Sequence, residues 1–216
     1  MSIVQNPLIG AARQKIGNAV FSTWKGIYVL KTKPLTVANP KTDQQLMRRS
    51  ALRQIVAVFR LISAAIQVGF KEQAVKKSEY NAFVSEALDN AFDYGSPPDA
   101  LLMEEQILTS KGTITPVASA AYAIDKSANT ITATYTGTST APGQSATDLA
   151  VITAYNIDLG QWTAGVTANQ RNAASASIGL PTEWLVGHQV RVYLSFYNPS
   201  TGKSDTSTND VTSIVA

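Results

Sequence analysis

From about Gly112 onward, short runs of β-branched and aromatic residues alternate with turn formers, and this pattern constrains the fold more than any other feature. The run "NTITATYTG" alternates strictly. Ile131, Ala133 and Tyr135 point to one face and Thr130, Thr132, Thr134 and Thr136 to the other, as the two-residue period of a half-buried strand requires. "GHQVRVYLSFYN" alternates in the same way, with Val190, Val192, Leu194 and Phe196 against Arg191, Tyr193 and Ser195. "DLAVITAYN" is a continuous apolar run suited to a central strand, and "GQWTAGV" and "RNAASASIGLP" supply two more. With runs at 115–124 and 206–215, about seven strands fall in about 100 residues, the size and spacing of an immunoglobulin-like or fibronectin-like sandwich without a disulfide. The polar stretch "TGTSTAPGQSATD" reads as a long flexible loop.

The part before Gly112 has a different texture. Ala19 to Trp24 and Ile27 to Lys31 predict a β-hairpin that turns at Lys25-Gly26 and ends before Pro34. Trp24, Gly26 and Tyr28 are its candidate packing and turn residues, with Trp24 at the packed base. In "ANPKTDQQL", Pro40 holds Asn39 extended, and Thr42 with Gln45 forms a candidate capping box for a helix. Leu52, Ile55, Val56, Phe59, Ile62, Ile66 and Phe70 then recur at helical spacing, while Arg49, Arg53 and Arg60 share a separate face. Ser78 starts a second helix bearing Tyr80, Phe83, Val84, Ala87, Leu88 and Ala91 on one side, and "DYGSPPDA" ends it. The expectation is an α+β chain: a hairpin-plus-two-helix domain over 1–111 and a β-sandwich domain over 112–216.

Charge divides along the same line. Residues 1–77 carry 13 Lys and Arg against Asp43 and Glu72, a balance of +11; residues 78–216 carry 5 basic and 13 acidic residues, a balance of −8. Such a split predicts an anionic partner for the first part: nucleic acid, a membrane surface, or the acidic face of a protein, including a neighbouring copy. Lys25, Lys31 and Lys33 on the hairpin and Arg49, Arg53 and Arg60 on the helix are the candidate anchoring or anion-binding surface.

Catalytic signatures are few. Neither "GAARQKIGNAV" nor "GNAVFSTWKG" carries the Lys-Ser/Thr pair of a phosphate loop. There is no cysteine and a single histidine, His188, which argues against a zinc centre, a disulfide or a thiol nucleophile; His188 reads as a surface or edge residue. No GxSxG elbow occurs. Asp89 and Asp93, and the adjacent Glu104 and Glu105, lack calcium-loop spacing and read as solvated acidic faces. The expectation is therefore no enzyme, no cofactor and no small-molecule substrate. No window approaches the ~18 apolar residues of a membrane span, and "MSIVQNPLIGAARQK" has no signal-peptide pattern, so synthesis in the cytoplasm is expected.

Taken together, "VFSTWKGIYVLKTKP", "NPKTDQQLMRR", "IQVGFK", "AVITAYNIDLGQW" and "LPTEWLVGHQVRVYLSFYNPSTGKSDTST" resemble an uncharacterised Bacteroidota family known only as a domain of unknown function. That resemblance spans 1–110 and 145–216 and implies no activity or site residues. The Trp-Lys-Gly hairpin followed by "NPxTxxQ" and a basic helix also resembles proteins encoded among phage structural genes, which implies a virion or particle component. Two functions follow as expectations: a non-enzymatic structural protein that oligomerises or joins a larger assembly, or a sequence-nonspecific nucleic-acid-binding accessory protein using the basic face.

Overall fold

The computed structural model describes residues 2–3, 14–24, 27–34, 36, 39–137 and 141–216. The chain separates into two compact units, Met1–Lys41 and Thr42–Ala216. The first contains strands β1 (Ser2–Ile3), β2 (Gln14–Ile16), β3 (Ala19–Trp24) and β4 (Ile27–Thr32), paired antiparallel in the order β1-β4-β3-β2. The expected hairpin is there: Ala19 faces Thr32 and Trp24 faces Ile27. Its turn residues Lys25 and Gly26 lie outside the described residues, as does the side chain of Trp24. β1 and β2 are too short to show any alternation in sequence. Gly17 turns the chain between β2 and β3 at φ +57°, a conformation that a Cβ disfavours.

The second unit begins with helix α1 (Asp43–Gly69) and helix α2 (Glu79–Asn90). Thr42 occupies the N-cap of α1 but its side chain makes no cap hydrogen bond, so the predicted capping box does not form. Ser78 does cap α2, accepting from the Asn81 N–H at 3.2 Å. Next come a short ribbon, β5 (Phe92–Asp93) with β6 (Leu101–Leu102), which brackets the Gly-Pro breaker cluster, and a 3-10 turn at Glu104–Gln106.

Seven strands complete the unit: β7 (Ala120–Asp125), β8 (Thr130–Tyr135), β9 (Leu149–Asn156), β10 (Gln161–Gln170), β11 (Ser175–Gly179), β12 (Gln189–Tyr197) and β13 (Thr208–Val215). They form one sheet in the order β10-β9-β12-β13-β7-β8-β11, antiparallel at every pairing except β13 with β7. One apolar cluster draws Ile124, Ile131 and Ala176 from one flank of the sheet and Ile152, Val192 and Phe196 from the other, so the two flanks share a core. The strict alternation of β8 matches that geometry, with Ile131, Ala133 and Tyr135 buried. The predicted loop before β9 is tied down over its described part: Gln144 Nε2 donates to the Thr115 carbonyl at 2.9 Å, and the Ser145 N–H donates to Asp148.

β12 departs from simple alternation, because Tyr193 and Ser195 are buried along with Val192, Leu194 and Phe196. The second face of this strand is covered by helix. On β10, β9 and β12, the Trp162 ring lies 4.6 Å from that of Tyr155 and 5.6 Å from that of Tyr193, centroid to centroid, and the three join Ile55, Ile62, Ile66, Phe70 and Phe83 in a second cluster. The Tyr193 hydroxyl donates to the Glu104 carbonyl at 2.6 Å. This shared core places the helices with the strands, so the compact unit starts at Thr42, whereas the change of texture in the sequence placed a boundary at 111/112. At the end of α1, Gly69 approaches the segment after the 3-10 turn so closely that a Cβ would sit 2.6 Å from the Thr109 carbonyl oxygen.

Helix α1 contains an 18-residue window of mean hydropathy 1.5, long and apolar enough by composition to cross a membrane. This corrects the expectation that no window approaches a span. Packing accounts for part of that apolarity: Ala51, Ile55, Val58, Ile62, Ala65 and Ile66 are buried, but only 33% of the window is.

Candidate functional site

Only part of the apolar stripe read along α1 reaches the core. Ile55, Ile62, Ile66 and Phe70 are buried, whereas Leu52 is 43% exposed and Leu61, nearby on the helix, is 58% exposed. The outward side also carries the arginines. Arg49, Arg53 and Arg60 line one shallow groove of about 390 Å³ together with Leu52, Val56 and Ala57. The expected ridge is therefore a mixed cationic and apolar surface. Lys31 and Lys33 are exposed in the other compact unit, Tyr28 there is half-buried, and Lys25 is outside the described residues.

Other members of the N-terminal charge excess hold the fold together. The Arg48 guanidinium lies 4.3 Å from the Tyr94 ring centre, and its Nη1 donates to the Leu88 carbonyl and the Tyr94 hydroxyl, both at 3.1 Å. The acidic pair considered for chemistry is also used in packing. Tyr155 donates its hydroxyl to Glu104 Oε1 at 3.2 Å, and Glu105 pairs with Arg191 at 3.5 Å. Burial, with the adjacent Glu104 charge, pushes the Tyr155 hydroxyl up to about 12. Asp89 and Asp93 are exposed. No group of three or more His, Asp and Glu side chains among the described residues is placed to hold a metal ion.

Sequence reasoning missed a buried ion cluster. Arg171 follows β10, Asp148 precedes β9 and Asp205 lies between β12 and β13, so three loops bring them together at one end of the sheet. All three are fully or almost fully buried. Arg171 Nε donates to Asp148 Oδ2 at 3.3 Å, and its Nη2 lies 4.0 Å from Asp205 Oδ2. The guanidinium carbon sits 3.9 Å from the Phe196 ring centre. Asp148 accepts further from the Ser145 N–H and the Asn198 side chain, each at 2.8 Å, and Asp205 accepts from the Phe196 N–H at 2.7 Å. Burial raises the Asp205 carboxyl well above its usual range, with the Asp148 charge adding to the effect; the Phe196 N–H and Arg171 oppose it. One cation faces two carboxylates here, so protonating Asp205 balances the cluster. A lone arginine in the uncharged run "NQRNAASAS" was the available signal.

The opposite end of the sheet is built differently. The connection from β9 to β10 and the loop before β12 adjoin there, and they expose Ile157, Leu159, Leu185 and Val186. Val215, at the end of β13, is exposed at the same end. Asn156 organises the turn: its Oδ1 accepts from the N–H groups of Asp158 and Leu159, both at 3.0 Å. That leaves Nδ2 to donate to His188 Nδ1 at 3.1 Å, which also accepts from the Leu185 N–H at 3.3 Å. Two donors on Nδ1 place the imidazole proton on Nε2. His188 is thus a half-buried brace for an apolar loop, tucked further in than a surface residue. Trp184, fully buried, anchors the same loop by donating from Nε1 to Gln161 at 2.9 Å.

Comparison with known proteins assigns the chain to a family. The model of a family of unknown function, DUF6266, matches residues 10–209, and the chain belongs to that family. The match covers most of the first unit and nearly all of the helix-and-sheet unit. No curated protein and no solved structure matches the chain.

Proposed function

We propose that this chain is a non-enzymatic structural protein that works by binding other proteins, as a component of a virion or a comparable particle. The observation that carries this reading is the outward side of α1, where Arg53 and Arg60 line one groove with the exposed Leu52, and Leu61, next to Arg60 in sequence, is exposed too. Phosphates neutralise arginines but leave apolar side chains in water, whereas a protein partner covers both. The strand order supports a finer reading of the β region as an immunoglobulin-like sandwich. Four strands, β10-β9-β12-β13, would form one sheet and three, β7-β8-β11, the other, with the first strand running parallel to the last where the sheets meet. In this reading the basic part anchors on an assembly and the β region projects or contacts neighbours. Size measurements on the full chain across a wide concentration range test the proposal; large species support it, and a strict monomer that binds none of its co-assembled proteins sinks it.

The +11 balance of residues 1–77 favours a second reading, sequence-nonspecific nucleic-acid binding. Titration of mixed-sequence DNA at increasing salt separates the two. Affinity that falls steeply with salt, and weakens in Arg49→Ala, Arg53→Ala and Arg60→Ala, supports the second reading. No binding at low salt removes it.

A further inference from the structure

Two surfaces of the helix-and-sheet unit are complementary. Among the described residues, eleven large apolar side chains stand well exposed, and five of them, Ile157, Leu159, Leu185, Val186 and Val215, gather at one end of the sheet. Such clustering marks a contact surface more than scattered exposure does. The loops at this end are held by their own hydrogen bonds, since the Asp158 carboxylate accepts from the Gln189 N–H at 2.7 Å and the Gly187 N–H donates to the Ile214 carbonyl at 3.0 Å. The surface is therefore preformed. Its rim carries Asp125, Asp158 and Glu183, and Lys126, nearby, has its ammonium on the Thr182 carbonyl at 2.9 Å. Hydrogen bonds from Ser127 and Ala128 hold the Asp125 carboxyl below its usual range, so it stays charged. The end is thus apolar at its centre and acidic at its edge, while the outward side of α1 is apolar between arginines.

We propose that copies of this chain associate head to tail, the apolar end of the sheet in one copy seating on the arginine groove of α1 in the next. Leu185 and Val186 lie against Leu52 and Val56, and Glu183 and Asp158 approach Arg53 and Arg60. The same patch cannot meet itself, because both rims would be acidic, so the contact is heterologous and propagates into a ring or filament. An acidic rim also opposes docking of this end on an anionic lipid surface. The inference rests on the assembly reading above and specifies the faces that such an assembly uses.

The test uses the full-length chain and two charge variants, with mass photometry and sedimentation velocity as readouts. Arg53→Glu with Arg60→Glu reverses the groove. Glu183→Lys with Asp158→Asn removes the two rim acids that face the groove and puts a cation at one of them, while keeping an acceptor for the Gln189 N–H. All four positions are exposed, and an unchanged thermal melt verifies folding. Each variant alone is expected to associate at least about tenfold more weakly than the parent chain. Mixing them restores association, because each variant then offers a complementary surface to the other. If the parent assembles but either variant assembles equally well, or if mixing restores nothing, this interface is overturned and the assembly reading stands. If the parent stays monomeric throughout, the head-to-tail contact falls, and the assembly reading falls with it if the chain also binds none of its co-assembled proteins.

Discussion

The two ends of the seven-stranded sheet solve the same problem in opposite ways. At one end, the loops around Asp148, Arg171 and Asp205 turn their charges inward, where Arg171 is completely buried. At the other, the loops around Asn156 and His188 hold themselves by hydrogen bonds and leave Ile157, Leu159, Leu185 and Val186 in water. Neighbouring loops of one sheet can therefore spend their polar groups on closing the fold, or on presenting an apolar surface in a fixed shape. The first arrangement serves stability; the second, in the proposed assembly, serves contact.

Breaking the closed end should have the largest effect. Arg171→Ala leaves the buried Asp148 carboxylate without its cation and is expected to destabilise the fold by about 3–5 kcal/mol, read from urea or thermal unfolding. A loss below about 1 kcal/mol would mean that the cluster does not close this end. Asn156→Ala attacks the open end at its brace. It strands the Asp158 and Leu159 N–H groups and is expected to cost about 1–3 kcal/mol. It should also change the His188 imidazole signals, because Nδ1 loses one of its two donors.

The pH dependence sharpens the contrast. A carboxyl raised in the folded state, as Asp205 is, binds its proton more tightly folded than unfolded. Its contribution is complete below the ordinary aspartate value of about 4, and is lost as pH rises through the raised value. Asp205→Asn should therefore flatten the fall of stability from pH 4 upward relative to the parent chain; an unchanged slope would show that Asp205 is not the titrating group. The smallest effect on stability is expected at the exposed loop. Leu185→Ser with Val186→Ser should alter unfolding by less than about 0.5 kcal/mol while weakening association, and a large loss of stability would mean that these side chains belong to the core.

Much of the sheet was legible in the sequence because alternation is a local signal. The seven expected strands correspond to β7–β13, and β8 buries the three residues that its pattern selects. The helices were legible from periodicity, and Ser78 from its capping chemistry. The unit boundary was not, because it depends on which side of β12 is covered. Tyr193 alternates with Val192 and Leu194 as a solvent-facing residue would, yet helix packing buries it completely. The same limit applied on α1: periodicity grouped Leu52 with Ile55, and only the packing separates an exposed leucine from a buried isoleucine. Arg49, Arg53 and Arg60 were legible as one face because their spacing is local, and they do line one groove. The Asp148, Arg171 and Asp205 cluster was hidden, since its members are brought together only by loops distant in sequence.

The most direct test of this account is the size of the full 23.0 kDa chain in sedimentation velocity, followed from low to high concentration and repeated with added salt. The account predicts species that grow with concentration and shrink as salt screens the contact between the arginine groove and the acidic rim. A single monomeric boundary at every concentration and at low salt would contradict it.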